Sequence, residues 1–303
     1  HPQTCVTCHD PHDVGAVSGI ETNAILRIQG TTPDLIAGFQ VVGAGKGALC
    51  MTCHNSRRGL RNDDNFEETK VDDAARAPHG SAQTDVLMGE NAYLVNVGVR
   101  GRHSLIEDTC VTCHMEATPP PDLLSYNQGG TNHTFAASAD VCTVCHEGIT
   151  ADGLQTVVGT IMDHLQGLIE DELLALIADL TAAGNKIDFG GDALVTNPGQ
   201  ITEIVFGEFR GRQAMTVTLA GGATVGPLRM TDIDVIQAAP MPAGELYDFA
   251  SDELIKAGWN WNLVHNDGSR GAHNPTFVLA VLDGARDALG DTGGPRAVLP
   301  AVF

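Results

Sequence analysis

The clearest pattern of apolar and polar positions lies near the middle of the chain, where it predicts an amphipathic helix over residues 160–180. Its apolar side chains recur at near-helical spacing; they are Ile161, Leu165, Leu168, Leu173, Leu176 and Leu180. Thr160, with Asp163 three residues later, resembles a capping box, and Gly184 provides a stop signal beyond the last turn. These signals set both expected ends of the helix.

Residues 186–237 follow a period of two, which is typical of β-strands. The apolar residues that alternate with threonine are Met215, Val217 and Leu219. Gly211 and the pair Gly221-Gly222 are turn signals on either side, so we expect a three-stranded meander. The segment contains no cysteine and no histidine, which favours a cover or an assembly surface over a chemical site.

Two further helices are predicted towards the C-terminal end. Ser251, followed by two acidic residues, can open the first. Asn274 as a cap and Pro275 at the first helical position open the second, which ends at Gly290. Residues 1–150, in contrast, show little periodicity, and we expect short helical turns there, joined by loops rich in Gly, Pro and Asp.

Four copies of Cys-x-x-Cys-His, the first to fourth motifs, account for all eight cysteines. The cysteines are Cys5, Cys8, Cys50, Cys53, Cys110, Cys113, Cys142 and Cys145, and the histidines are His9, His54, His114 and His146. This spacing is typical of c-type haem attachment, in which two thiols form thioethers with the haem vinyl groups and the imidazole binds the iron from one face. The motifs predict four haem c groups with these histidines as proximal ligands.

Paired cysteines have two other common uses in proteins. Paired CxxC motifs can form Cys₄ or Cys₂His₂ zinc sites, but zinc does not require a histidine directly after every second cysteine. An even number of cysteines in an exported chain also permits disulfides, although a two-residue spacing repeated four times is a poor disulfide pattern. Haem attachment is the interpretation that explains all four motifs.

Composition and charge agree with a haem-filled, exported protein. Aromatic residues make up only 5% of the 303 residues, as expected where porphyrin supplies much of the apolar filling. The formal net charge of −21 opposes binding to nucleic acid or anionic lipid. No apolar run approaches the roughly 20 residues of a membrane span. Because c-type haem is attached outside the cytoplasm, we expect an extracellular or periplasmic protein, with His1 following a removed signal sequence.

Eight further histidines are available as second axial ligands, which favours bis-histidine ligation of all four irons. The expected distal ligands are His12, His79, His103, His133 and His273. His12 follows the first motif by three residues, too close to reach the far face of the same iron, so it serves a different haem or none. His164 and His265 are expected to be ordinary helix-face residues, and the role of His1 stays open.

Several segments resemble multihaem c-type cytochromes of metal-reducing bacteria. They are CHDPH at 8–12, PHGSAQTDVL at 78–87, CVTCHM at 110–115, NHTF at 132–135 and DGSRGAHNP at 267–275. In haem number and length the likeness is greatest to extracellular tetrahaem cytochromes that polymerise into conductive filaments. The resemblance covers about residues 1–150 and 250–290, and does not extend to residues 186–237.

The resemblance implies bis-histidine haems stacked in a continuous chain. It implies that His12 ligates a haem of the adjacent subunit. It also implies that His79, His103, His133 and His273 serve haems within the subunit. Five distal candidates for four irons leave at least one of these assignments open.

We therefore expect a mostly α and irregular, haem-packed fold with few regular elements in the tetrahaem-binding region, 1–150. Residues 151–303 should form a helical region with a small antiparallel β insertion at about 186–237, contribute one distal ligand, and join the first region in one compact unit. The expected function is electron transfer by a non-enzymatic filament subunit, whose partners are identical subunits, redox proteins or extracellular metal acceptors. A soluble periplasmic shuttle and, less favoured, a nitrite or hydroxylamine reductase with one open haem site stay as alternatives.

Overall fold

The computed structural model describes most of the chain. The described residues are 4–10, 15–17, 20–22, 25–59, 76–116, 127–128, 131–147, 151–190, 193–238, 251–291, 293–294 and 296. His1 and His12 lie outside them, so the predicted role of His12 as a distal ligand concerns a position that the structure does not describe.

Helices in the described residues are short before residue 150 and long after it. They are α1 (Cys5–Cys8), α2 (Ala48–Met51), α3 (Gln83–Met88), α4 (Cys110–His114), α5 (Ala151–Ala182), α6 (Asp252–Asp267) and α7 (Pro275–Ala288). Short 3₁₀ turns lie at Gly45–Gly47, Arg102–Leu105, Ala139–Val144, Pro198–Gln200 and Met230–Asp232. The predicted contrast between an irregular N-terminal region and a helical C-terminal region is confirmed at this level.

The long helix α5 begins nine residues before its predicted start. Thr160 is not a cap but lies inside the helix, where its hydroxyl donates to the carbonyl oxygen of Thr156 at 3.0 Å. The early turns were missed because Gly153 and Gly159 weaken the local helical pattern. Burial of Leu154 and Val158 against the rest of the protein outweighs that weakness.

The strands form four antiparallel sheets among the described residues. They are β1 (Gly15–Val17), β2 (Ile20–Thr22), β3 (Asn127–Gln128), β4 (Thr131–Asn132), β5 (Lys186–Asp188), β6 (Leu194–Val195), β7 (Ile201–Phe209), β8 (Arg212–Leu219), β9 (Thr224–Arg229) and β10 (Asp234–Ile236). The orders are β1-β2, β3-β4, β10-β5-β6 and β7-β8-β9. The predicted meander is confirmed as β7-β8-β9, and the β10-β5-β6 sheet was not predicted.

Both C-terminal helices begin at the predicted caps. The Ser251 side chain accepts a hydrogen bond from the backbone of Leu254 at 3.2 Å, and the Asn274 side chain accepts one from Phe277 at 3.3 Å. Each bond satisfies an N–H group that has no partner within its helix. The two helices pack against each other and against α5.

The main core joins the C-terminal region to a short part of the N-terminal one. It contains Leu165 and Ile169 of α5, Trp259 of α6 and Phe277 of α7, together with Tyr93 from the N-terminal region. A second, smaller core surrounds the turn before the second motif and consists of Leu35, Ala37, Val41, Ala44, Ala48, Met51, Leu87 and Met88. Within the described part of the chain, no helix has the length and apolar character needed to cross a membrane.

Candidate functional site

Each CxxCH motif forms a tight helical turn. In the first, second and fourth motifs the histidine backbone N–H donates to the carbonyl of the first cysteine, at 2.9, 2.9 and 2.8 Å. The third motif is the helix α4 itself. Because residues four apart share one face of a helix, this turn brings the first cysteine and the histidine of a motif together, as predicted from the spacing.

All eight cysteines are free thiols. No disulfide links them, and the described residues contain no group of three or more His, Cys, Asp or Glu side chains that could hold a metal ion between them. The Cys₄ and Cys₂His₂ zinc arrangements considered from the sequence would require such a group. The described thiols thus form neither a disulfide nor a cluster of this kind.

The four motifs follow one another in space in their sequence order. The thiol of Cys8 interacts electrostatically with that of Cys53, which joins the first motif to the second. An interaction between the neighbouring thiols of Cys50 and Cys110 raises the pKa of Cys50 and lowers that of Cys110. The thiol of Cys113 interacts electrostatically with that of Cys142, which joins the third motif to the fourth. The motifs thus form a continuous series from first to fourth.

The second and third motifs are held together by the segments that precede them. The Lys46 ammonium contacts Asp108 at 2.7 Å, and the Thr109 hydroxyl donates to the Ala44 carbonyl at 3.0 Å. A Cβ added to Gly45 would lie 2.5 Å from Asp108, and one added to Gly47 would lie 1.8 Å from Thr109. Only glycine permits the two backbones to approach this closely.

Three motif histidines lie opposite three of the predicted distal ligands. The ring centroids of His9 and His133 are 6.5 Å apart. Those of His103 and His146 are 6.0 Å apart, and those of His114 and His273 are 6.2 Å apart. Each pair contains one motif histidine and one histidine that is distant in sequence. The first, third and fourth motifs are each joined in this way to another part of the chain.

This spacing is the one that two imidazoles need to bind opposite faces of a single metal ion. Metal–imidazole bonds are about 2 Å long, and each centroid lies about 1.1 Å behind the ligating nitrogen of a ring whose bonds are near 1.33 Å. Two coaxial ligands therefore place their centroids about 6 Å apart. Each pair could thus hold one metal ion between its two rings.

Hydrogen bonds at Nδ1 orient four of these rings. The Nδ1 atoms of His54, His103 and His114 contact Gln83 Oε1 at 3.1 Å, the Ala272 carbonyl at 2.7 Å and the Phe135 carbonyl at 3.0 Å, respectively. His273 Nδ1 contacts Asp267 Oδ1 at 2.5 Å. A ring whose Nδ1–H donates to oxygen presents Nε2 as its metal-binding nitrogen, the usual arrangement around ligating histidines.

His273 differs from the others because its partner is a carboxylate. The Asp267 side chain is fully buried. Burial acts to lower the pKa of His273, but the Asp267 charge and hydrogen bond outweigh it, so the pKa is raised. Asp267 therefore stabilises positive charge on the ring it orients.

His54 and His79 have no ring contact with another histidine among the residues that the structure describes. His79 is exposed. It lies close to the second motif, since its backbone N–H donates to the Ser56 carbonyl at 2.8 Å. Partial desolvation of the ring, and then the charges of Arg57 and Arg58, hold the pKa of His79 below its ordinary value. The second motif is thus the one whose opposite ligand is not formed within the described chain.

The two histidines expected to be helix-face residues have other contacts. His164 Nε2 lies 2.9 Å from Asp291 Oδ2, and His265 stacks on Trp261 with centroids 4.7 Å apart. The prediction from sequence missed Gln83 and Asp267 as partners of the ring nitrogens. Both lie in segments that it singled out, but a hydrogen bond to Nδ1 leaves no pattern in a single sequence.

Comparison of the chain with protein-family models, with curated proteins and with solved structures gives no match in any of the three. What the site does has to be deduced from its own geometry.

Proposed function

We propose that this protein is an electron carrier that holds four covalently attached c-type haems, each with two histidine ligands to its iron. The observation that carries the proposal is the spacing of the three histidine pairs, 6.0 to 6.5 Å between centroids, which matches that of two axial ligands on one iron. Each of the histidine–histidine ring contacts among the described residues includes a CxxCH histidine.

The residues assign a specific ligand set to each haem. The first would be held by Cys5, Cys8, His9 and His133; the third by Cys110, Cys113, His114 and His273; the fourth by Cys142, Cys145, His146 and His103. The second would be held by Cys50, Cys53 and His54, with its distal ligand from His79 or from His12 of another subunit. Haem supplies reversible one-electron chemistry at its iron, and the protein sets spacing, orientation and electrostatics.

The second motif supports assembly into a filament of identical subunits. His54 has no histidine partner in the described chain, whereas His12 is too close to the first motif to ligate the haem bound there. His12 as a ligand of the second haem satisfies both conditions, and its exchange between subunits would continue the series of motifs from one subunit to the next. The net charge of −21 suits an exported protein whose acceptors are metal ions or cationic surfaces of redox partners.

The same observation about His54 also supports a second candidate, a multihaem reductase. An iron with one open face can bind a small substrate such as nitrite or hydroxylamine, while a six-coordinate iron cannot. A third arrangement, in which His79 swings onto the second haem, would give a periplasmic shuttle. The three candidates differ in the ligation of one haem and in its dependence on assembly.

Electron paramagnetic resonance (EPR) of the oxidised protein at increasing concentration separates these candidates, with assembly followed by electron microscopy and size-exclusion chromatography. The filament proposal predicts one high-spin haem in dilute monomer that becomes low-spin on polymerisation. A high-spin haem that persists in every state, with nitrite reduction, would identify the reductase. Four low-spin haems in a monomer at all concentrations would identify the shuttle. Failure of the purified chain to carry four haems, measured by intact mass and pyridine haemochrome, would overturn the proposal as a whole.

A further inference from the structure

The loop between α6 and α7 surrounds the third-motif ligand His273 with hydrogen bonds. Helix α6 ends at Asp267, and Gly268 in the left-handed region (φ 72°) turns the chain back. Asp267 Oδ1 contacts His273 Nδ1 at 2.5 Å. Its Oδ2 accepts from the backbone and the hydroxyl of Ser269, whose Oγ also accepts from the His273 backbone at 3.2 Å.

The Asp267 carboxylate is therefore fixed at both oxygens and removed from water. No lysine or arginine lies within ion-pair distance of Asp267 among the described residues; its ion-pair partner there is His273. The Nδ1 partners of His54, His103 and His114 are a neutral amide and two backbone carbonyls. His273 is thus hydrogen-bonded to a buried, charged carboxylate, whereas the other three histidines are hydrogen-bonded to neutral groups.

We propose that Asp267 is a positioning residue that lowers the reduction potential of the haem held by the third motif. The inference rests on the function proposed above and adds an electrostatic role for a residue that touches the ligand and not the iron. A carboxylate on Nδ1–H makes the imidazole a stronger donor, and its charge is weakly screened in a buried setting. Both effects stabilise ferric over ferrous iron, since the oxidised site carries one more positive charge.

The direction of the effect is tested with two variants of the full-length, haem-loaded protein. Asp267→Asn keeps the shape and an acceptor oxygen but removes the charge, so one of the four redox transitions should move to higher potential. Ser269→Ala removes a hydroxyl donor from Oδ2 and leaves the carboxylate a stronger hydrogen-bond acceptor for His273, so the same transition should move to lower potential. Potentiometric titration followed by EPR measures both, and His273→Met identifies the transition because it replaces a ligand of the same haem.

A matched control removes an equal charge elsewhere. Asp232 forms an exposed ion pair with Arg229 at 2.6 Å, and Asp232→Asn should leave all four transitions in place. Unchanged potentials in Asp267→Asn, with four haems and their low-spin signals retained, would overturn the inference and leave the electron-carrier proposal intact. Conversion of one haem to high-spin in Asp267→Asn would also overturn it, because Asp267 would then only hold the ring in place. Absence of haem from the wild-type protein would overturn the proposed function instead.

Discussion

Gly47 lies against Thr109 so closely that a Cβ at Gly47 would be 1.8 Å from the Thr109 hydroxyl oxygen. This contact joins the turn before the second motif to the turn before the third, where the thiols of Cys50 and Cys110 are neighbours. The distance between the two proposed haems is therefore set by a glycine outside both motifs.

Gly47→Ala should push the second and third motifs apart and lower the free energy of unfolding by about 1–3 kcal/mol, the usual cost of overpacking. The Thr109–Ala44 hydrogen bond at 3.0 Å should be lost with it. Chemical denaturation measures the first effect. The second should appear as weaker mutual influence between two redox transitions in potentiometric titration.

Gly59→Ala is a suitable control, since a Cβ at Gly59 would meet no atom within 4 Å. Equal effects of the two substitutions on stability would contradict the role assigned to the contact between Gly47 and Thr109.

The three histidine pairs predict which distal substitutions act on separate haems. His133→Met, His103→Met and His273→Met should each raise the potential of a different haem, because methionine ligation favours ferrous iron relative to histidine. Potentiometric titration should show three distinct transitions moving, one in each variant, and the combined variants should be additive.

His265→Met provides the comparison, because His265 stacks on Trp261 and is not a proposed ligand. If two of the three distal variants moved the same transition, the assignment of pairs would be wrong.

Asp291 should make the free energy of unfolding depend on pH in the acid range. Its Oδ2 accepts from Arg286 Nε at 2.9 Å and Nη2 at 2.7 Å, and hydrogen bonds from Arg286 and then His164 lower the pKa of Asp291. A carboxyl whose pKa is lower in the folded state stabilises the fold above its unfolded pKa, here 3.8. That contribution is lost as the pH falls through the folded value.

Asp291→Asn should therefore be less stable than wild type at neutral pH, and the difference should shrink as the pH drops below about 4. Urea denaturation followed by far-UV circular dichroism at a series of pH values measures this. Parallel pH profiles for the two proteins would show that Asp291 does not contribute in this way.

Leu165 tests the core on which α5 depends. It is fully buried in α5, and Leu165→Ala should cost about 2–5 kcal/mol of unfolding free energy. Val157 lies on the same helix with 43% exposure, and Val157→Ala should change stability by no more than about 0.5 kcal/mol. Thermal and urea denaturation compare the two, and similar losses would place α5 outside the cooperative core.

Patterns local in sequence predicted much of this fold. The caps Ser251 and Asn274 and the meander β7-β8-β9 lie where expected, since a cap or a hairpin depends on neighbouring residues. The start of α5 does not lie where it was predicted, because it depends on the burial of Leu154 and Val158, which is a tertiary effect. The β10-β5-β6 sheet was also missed, because its strands are only two or three residues long and β10 pairs with β5 across the whole meander.

The site shows the same division. The sequence predicted proximal histidines from the CxxCH motifs and distal candidates from the further histidines, but not their pairing. His133 precedes the fourth motif yet faces His9, and His103 precedes the third motif yet faces His146. Proximity in sequence is therefore a poor guide to ring partners, because long-range packing decides which histidine faces which.

The histidine pairs also have a topological consequence. Three segments of the chain are closed by these pairs: His9–His133, His103–His146 and His114–His273. Each segment overlaps the other two in sequence without enclosing either. With an iron between each pair, the polypeptide becomes an interlaced network of cross-links. Such links restrict the unfolded chain most when they span long stretches, and here no end can fray past a haem without breaking an iron–nitrogen bond. Resistance to proteolysis and to mechanical pulling, both useful outside a cell, would follow from the order of six histidines.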